Sequence, residues 1–310
     1  MTSQFSRTAI FVSLALAIGL VVGVIFGARY YFYNVARGPV GVTDLPSPDA
    51  GSEQCDAVLA DLPDKFMGDP RSEIVEPVPV GVAAWSTYSD QTTTLRCGVE
   101  LPYQYNKYSE TEEIDGAQWL QIIDPTKGST LQTWYTTDRF PVVAVTTFKD
   151  EKPKGIKKAL ENLEQKDLEP NPAPLTNLQP AEKPRAARQA CDPLFAELPE
   201  TLATDYQRIE TAEDDIAIWA KPGHEQIALR CGVAPPPGYG PGEQIEQVSD
   251  IPWFNDTTLG QGTTAGTWYA LGRTTDIAAY IPTELADSVL VQLGDVIAQE
   301  TPEDPKSNGN

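Results

Sequence analysis

Four cysteines are the residues best suited to covalent chemistry in this chain, and they fall into two similarly spaced pairs. Cys55 precedes Cys97 by 42 residues, and Cys191 precedes Cys231 by 40. Zinc ligands come at short spacing such as C-x-x-C, and no such pair occurs here, so no metal is expected. Free thiols suit a cytosolic protein, which an apolar N-terminal segment and an acidic remainder argue against. Four cysteines allow three pairings. A duplicated chain gives each half its own bond, so Cys55 is expected with Cys97 and Cys191 with Cys231. Chain-entropy bookkeeping credits each bond with roughly 4 kcal/mol.

The rest of the catalytic inventory is thin. The only histidine, His224, lies in Lys221-Pro222-Gly223-His224-Glu225, which reads as a hairpin turn, and the equivalent position in the first half is Asp90. A solvated turn residue is expected there, and any Ser-His-Asp triad or histidine-based metal site would rest on it alone. No G-x-S-x-G elbow and no Walker A loop is present, and no cofactor is expected. Paired acids such as Asp214-Asp215 have the chemistry that glycoside hydrolysis needs across a cleft, yet among 44 acidic residues they read as solvated faces. Asn255-Asp256-Thr257 matches the short glycosylation pattern.

Arg96 with Arg230, and Arg139 with Arg273, occupy equivalent places in the two halves. Beside Trp119 or Trp253, their planar guanidinium groups would contact an anion or carboxylate. The plainer expectation is an ion pair tying a strand to a loop, with the duplicated tryptophans as core. Arg96, Trp119, Arg139, Arg230, Trp253 and Arg273 are thus the candidate binding residues.

What must position them is a duplication. Trp85 leads to Leu95-Arg96-Cys97-Gly98-Val99, and Trp219 leads to Leu229-Arg230-Cys231-Gly232-Val233, at an offset of 134. The same offset relates Trp119 to Trp253, Thr133-Trp134-Tyr135 to Thr267-Trp268-Tyr269, and Arg139 to Arg273. Upstream, Cys55-Asp56 and Leu62-Pro63 recur as Cys191-Asp192 and Leu198-Pro199 at an offset of 136. A period this long means two copies of a whole domain. With 310 residues, two such domains and one anchor fit the length.

The formal net charge is −21, from 23 basic and 44 acidic side chains, so nucleic acid is excluded as a partner. An anionic membrane surface would repel the bulk of the chain. Six Trp, twelve Tyr and nine Phe argue for packed cores rather than disorder.

Along the chain, residues 1–8 form a cytoplasmic N-terminus and 9–28 an uncharged, membrane-spanning run of twenty residues. A cleaved signal peptide is the rival. Its best small-residue pair, Ala15-x-Ala17, falls inside the apolar run, and Ala28 has bulky Phe26 at −3, which favours an uncleaved anchor. Arg7 is nearly balanced by Arg29 and Arg37, so orientation rests on the cysteines, which put the bulk outside. Ala15, Gly19, Gly23 and Gly27 share one helix face, a pattern that lets another helix approach. Residues 29–54 read as a juxtamembrane spacer, whose stretch 38–54 reaches at most about 60 Å. The first domain spans 55–165 and the second 191–299, with a Pro-rich, semi-rigid linker over 166–190 that separates them and a polar, disordered tail over 300–310.

Each copy reads as helix, strands, helix, an α+β arrangement. Asp192 before Pro193 predicts a helix start. Val80, Val82 and Ala84 predict a strand ending at Trp85. Ile227, Leu229, Cys231 and Val233 predict one inward face, with Arg230 and Gly232 on the other. A closing helix is expected over 283–299, with a weaker counterpart over 154–165.

The Cys-Asp start, the Leu-Pro pair, the Trp-to-Leu-Arg-Cys-Gly-Val phrase and the later Trp-Tyr with Arg139 or Arg273 resemble an actinobacterial family catalogued as domain of unknown function three-five-one-five. The resemblance implies one N-terminal membrane anchor followed by an exported domain, here present twice instead of once. It brings no activity and no catalytic residues. The expected function is therefore a membrane-anchored, non-enzymatic binding or assembly module of the cell envelope, with an envelope protein or a second copy as partner. The alternative is a carboxylate-dependent envelope hydrolase. A deep pocket with a carboxylate pair would favour the enzyme, and a shallow aromatic or apolar face the module.

Overall fold

The computed structural model describes residues 7–36, 38–87, 91–259 and 263–305, with side chains from residue 8 to 31 in the first helix. That helix, α1 (Arg7–Ala36), contains a 24-residue stretch, Thr8–Tyr31, of mean hydropathy 2.8, long and apolar enough to cross a membrane.

Domain 1 runs through α2 (Glu53–Ala60), β1 (Lys65–Phe66), β2 (Asp69–Ser72), β3 (Val82–Trp85), β4 (Thr93–Val99), β5 (Glu112–Ile114), β6 (Ala117–Ile123), β7 (Gln132–Thr136), β8 (Arg139–Phe140), β9 (Val142–Thr147), α3 (Lys157–Leu160) and β10 (Glu164–Gln165). Domain 2 runs through α4 (Pro184–Glu197), β11 (Thr201–Leu202), β12 (Tyr206–Ile209), β13 (Ile216–Ala220), β14 (Ile227–Val233), β15 (Glu246–Val248), β16 (Ile251–Asn255), β17 (Ala265–Ala270), β18 (Asp276–Pro282) and α5 (Ala286–Glu300). The eight-stranded sheets have orders β1-β2-β3-β4-β9-β7-β6-β5 and β11-β12-β13-β14-β18-β17-β16-β15. Each is two four-strand meanders joined at the central pair, antiparallel throughout.

The repeat holds to the register. Arg96 pairs with Val82 and Ala144, and Arg230 with Ile216 and Ala278. Trp134 pairs with Val145, and Trp268 with Ala279. Disulfides Cys55–Cys97 and Cys191–Cys231, with Cα separations of 5.5 and 5.9 Å, fasten the first helix of each domain to its central strand. Trp85 Nε1 donates to the Pro63 carbonyl at 3.0 Å and Trp219 Nε1 to the Pro199 carbonyl at 2.8 Å, which gives the repeated Leu-Pro pair its role.

One sheet face carries the main core in both domains, under α2 and α3 in the first and α4 and α5 in the second. Gly98 (φ +85°) and Gly232 (φ +81°) sit at matching β-bulges, a left-handed backbone that glycine adopts without strain. The bulge reverses side-chain alternation. Val233 therefore joins Ile216, Ala228 and Tyr269 on the opposite face, not the face of Leu229 and Cys231 on which the alternation put it.

Several boundaries differ from expectation. Helix α4 starts at Pro184, with Pro193 inside it, because Arg185 to Ala190 are good helix formers and Pro184 occupies the first turn. The first-copy counterpart of the closing helix is one turn, after which β10 pairs with β8. Strand β3 begins at Val82, leaving Val80 exposed. The tail is docked at its start: Thr274 N donates to Pro302 O at 3.0 Å and Asp304 N to Gly272 O at 3.0 Å, and residues 306–310 lie outside the described ones.

The two connecting segments are packed, not free. The Val40 amide bonds Glu73 O at 2.8 Å, the Val75 amide bonds Val40 O at 3.0 Å, and the Asp49 amide bonds Gly98 O at 3.2 Å, so the juxtamembrane spacer lies on domain 1 from Val40 onward. In the linker, Ala173 and Leu175 are buried, and Leu175 packs against Ile216, Ile218 and Val233 of domain 2. The linker also bonds domain 1, through Asn171 N to Tyr105 O at 2.9 Å. Proline removes backbone donors, and the acceptors left over are met by side chains, so a Pro-rich strap can line a sheet face instead of holding two domains apart.

A candidate ligand site between the two copies

Arg96 and Arg230 are straps, not anion contacts. Arg230 pairs with Asp215 through Nε at 3.0 Å, and its Nη1 donates to the carbonyls of Leu175, Thr176 and Leu178 at 2.9, 3.4 and 2.9 Å. Arg96 donates to the Thr43 carbonyl at 2.5 Å, and burial lowers its pKa against the opposing effect of Asp44. Each duplicated arginine thus reaches across its sheet to the segment that enters its domain. Arg139 is held by Asp138 at 2.8 Å and by the Gly116 carbonyl, and Arg273 donates to the Thr301 carbonyl at 3.1 Å. Trp119 and Trp253 are 0% exposed and belong to the cores. Each of the four guanidinium groups donates to a backbone carbonyl and both indoles are buried, while the Arg273 Nε and Trp253 Nε1 atoms are buried without a hydrogen-bond partner.

The small-residue stripe of α1 stays open: a Cβ added at Gly19, Gly23 or Gly27 would meet nothing within 4 Å. Asn255 of the glycosylation pattern lies at the end of β16, paired with Trp268.

The junction of the copies holds a cavity of about 340 Å³. Domain 1 contributes the loop after β4 and the end of β6, domain 2 the β13–β14 turn and the β17–β18 region, and the linker closes one side. The walls are tied by direct bonds. Ile123 N donates to Gly223 O at 2.7 Å, Asn106 Nδ2 to Gln226 Oε1 at 3.1 Å, and Gln226 Nε2 to Tyr108 O at 2.9 Å. Tyr108 and Lys107 both bond Glu213. Gly223 (φ +74°) lies so close to Ile123 that a Cβ there would come within 2.6 Å of its Cδ1.

Glu225 is the acid most firmly built into this cavity. Its carboxylate accepts from the Tyr280 hydroxyl and from Thr264 Oγ1, the latter at 3.1 Å. Burial holds the carboxyl above the usual Glu range, against those hydroxyls and with added repulsion from Glu284, which also lines the cavity. Tyr280 is pushed up by burial and by Glu225, so its phenol keeps its proton and serves as a donor. His224 is half-buried rather than solvated, with its ring edge-on to Tyr206 at 6.3 Å between centroids. Burial, then the charge of Lys221, lowers its pKa. Among the described residues no three His, Cys, Asp or Glu side chains sit close enough together to hold a metal ion.

A lowered histidine pKa has a defined consequence for pH. The unfolded chain takes up this proton near pH ~6.5 and the folded chain only at lower pH. The neutral ring's contribution is complete above that value and is lost as pH falls towards the folded pKa. Urea midpoints of the wild type are therefore expected to drop more steeply below pH ~6.5 than those of His224→Gln.

Apart from Thr267, the counterpart of Thr133, the cavity residues lie outside the repeated motifs and so carry no signal in the duplication. The signal within reach was Gly223-His224-Glu225, a turn whose histidine and acid have no counterpart in the first half.

A family model described as Protein of unknown function (DUF3515) matches residues 14–172 and, separately, residues 162–306. The chain belongs to this family, in two copies. The two matches coincide with the two sheet domains, so a DUF3515 copy here is one disulfide-fastened, eight-stranded sheet with its helices on one face. The first DUF3515 match begins inside α1. No curated protein and no solved structure matches the chain.

Proposed function

We propose that this DUF3515 protein is a membrane-anchored binding module of the cell envelope, with its N-terminus inside and its two domains outside, and that it holds a small ligand between the domains without turning it over. The carrying observation is the cavity: its volume lies within the range of about 300–1,000 Å³ usual for ligand pockets, and both copies and the linker wall it. Asp124, Glu110, Glu225 and Glu284 line it against Lys221 as its full cation, which suits a neutral or cationic molecule with hydrogen-bond donors. Tyr103, Tyr108 and Tyr280 supply aromatic surface. The apolar helix and the two disulfides support placement outside the membrane.

Native mass spectrometry of the full chain, extracted from its own host membrane, tests this. A co-purifying small molecule is expected in the wild type and at least tenfold less of it in Gly223→Val, whose side chain wedges Ile123 away, an effect of about 1.4 kcal/mol or more. Wild-type protein without any such molecule, and with a melting temperature unmoved by neutral or cationic candidates, would contradict the reading.

A second reading, a carboxylate-dependent hydrolase, is favoured by the feature expected of an enzyme, a pocket holding a carboxylate pair: Glu225, its pKa raised by burial, lines the cavity with Glu284. The module is preferred because the Glu225 carboxylate is already engaged by Tyr280 and Thr264. The same experiment separates the two. Binding returns the ligand intact, whereas hydrolysis returns products and loses turnover in Glu225→Gln. Self-association through the open stripe at Ala15, Gly19, Gly23 and Gly27 belongs to this proposal as well, and Gly19→Leu with Gly23→Leu is expected to abolish crosslinks through the anchor while leaving insertion normal.

A further inference from the structure

We propose that the loop Ile74–Val80 is a membrane-contact surface that rests in the interfacial layer of the bilayer α1 spans. The proposal takes from the reading above only that α1 is retained as an anchor. Two features of the chain converge on this loop, one of connectivity and one of composition.

Connectivity puts the loop beside the membrane. Only residues 37–39 lie between the end of α1 at Ala36 and Val40, which is already bonded on both sides to the loop, through Glu73 O and the Val75 amide. The apolar stretch ends at Tyr31, and the helix continues five residues further, to Ala36. Five helical residues add about 7.5 Å and the chain from 36 to 40 at most about 14 Å, so Val40 stays within about 22 Å of the hydrocarbon edge, and Val75 is hydrogen-bonded to it. A free spacer would have allowed about 60 Å. Docking of the spacer therefore converts a loose tether into a short one.

Composition suits the loop to that position. Val75, Val78 and Val80 are 51, 44 and 64% exposed, three branched apolar side chains within six residues. Pro77 and Pro79 alternate with them and carry no amide hydrogen, so two fewer donors lose water when the loop leaves bulk solvent. Scattered exposed valines are ordinary on a protein surface. Here they are gathered on the loop that also grips the chain leaving the membrane. Glu73 and Glu76 set the limit: acidic groups keep the contact shallow, and they make a neutral lipid surface a better match than an anionic one.

The test uses the full chain in phosphatidylcholine vesicles, with an environment-sensitive fluorophore on Val78→Cys and, separately, on Glu243→Cys, an exposed position of domain 2. Headgroup-depth nitroxide lipid is expected to quench the Val78 label several-fold more than the Glu243 label, and Val75→Ser with Val80→Ser to reduce that difference. Flotation of the same samples separates two failures. Protein that does not float with vesicles overturns the anchor reading and this proposal together. Protein that floats with a Val78 label as accessible to water as the control overturns this proposal alone. A Val78 label shielded only at high protein-to-lipid ratio, without nitroxide quenching, would place a second copy on the loop and likewise overturn it.

Discussion

Gly98→Ala is expected to destabilise domain 1 by about 4 kcal/mol or more, and Gly232→Ala to cost domain 2 only about 1–3 kcal/mol. Both glycines have left-handed backbone at equivalent bulges, so both substitutions carry the same conformational penalty. The surroundings differ. An added Cβ at Gly98 would lie 2.2 Å from the Ala50 nitrogen and 2.4 Å from the Asp49 carbonyl carbon, which are backbone atoms that cannot rotate away. At Gly232 the nearest atom is the Ala187 Cβ, at 3.2 Å, which a slight shift of α4 relieves. Domain 1 can escape the clash only by releasing the Asp49–Gly98 bond and lifting residues 47–50, which also loosens the Ser52 cap of α2. Urea denaturation with domain-resolved hydrogen exchange would show the asymmetry, and equal losses in the two domains would contradict it.

The second large effect is expected at Arg230. Arg230→Ala removes the donor shared by the Leu175, Thr176 and Leu178 carbonyls and leaves Asp215 without that partner. Hydrogen bonds to a charged group are worth about 1.5–3 kcal/mol each in favourable settings, and bonds sharing one donor group do not add fully, so a loss of about 3–5 kcal/mol is expected. Limited proteolysis should then cut the linker within 171–181, whereas the wild type is expected to resist. Arg230→Lys should rescue little, since a single ammonium cannot keep both the Asp215 pair and the three carbonyls. Arg96→Ala, with one carbonyl acceptor at Thr43, should cost less.

What the sequence made legible, and what it hid, follows from which atoms do the work. Duplicated tryptophans, cysteines and the Arg-Cys-Gly phrase report side-chain roles that are the same in both copies, and these carried the two α+β domains. Trp85 and Trp219 repeat even their carbonyl acceptors, Pro63 and Pro199. The packing of the linker and spacer is not legible in the sequence because backbone carbonyls hold them, and a carbonyl has no sequence signature. Arg230 was visible, but its three acceptors were not. Leu175 is a lone leucine among prolines, and only the sheet face beneath it explains its burial. Val233 departs from plain alternation because a glycine, Gly232, lies inside the strand and makes a bulge. The cavity was hidden for the opposite reason. Its walls come mostly from what the two halves do not share, Thr267 excepted, so the repeat does not mark them.

The two copies and their linker form one locked unit with a cavity at the joint. Hydrogen exchange at the Ile123 amide tests it most directly, because that amide's acceptor, Gly223 O, lies in the other domain. In the full chain it is expected to be protected far beyond a free loop amide, and Gly223→Val should remove that protection while leaving amides of the central pair β4–β9 slow. Ile123 exchanging at loop rates in the wild type would mean that the domains move independently, and the cavity between them would not exist as a site.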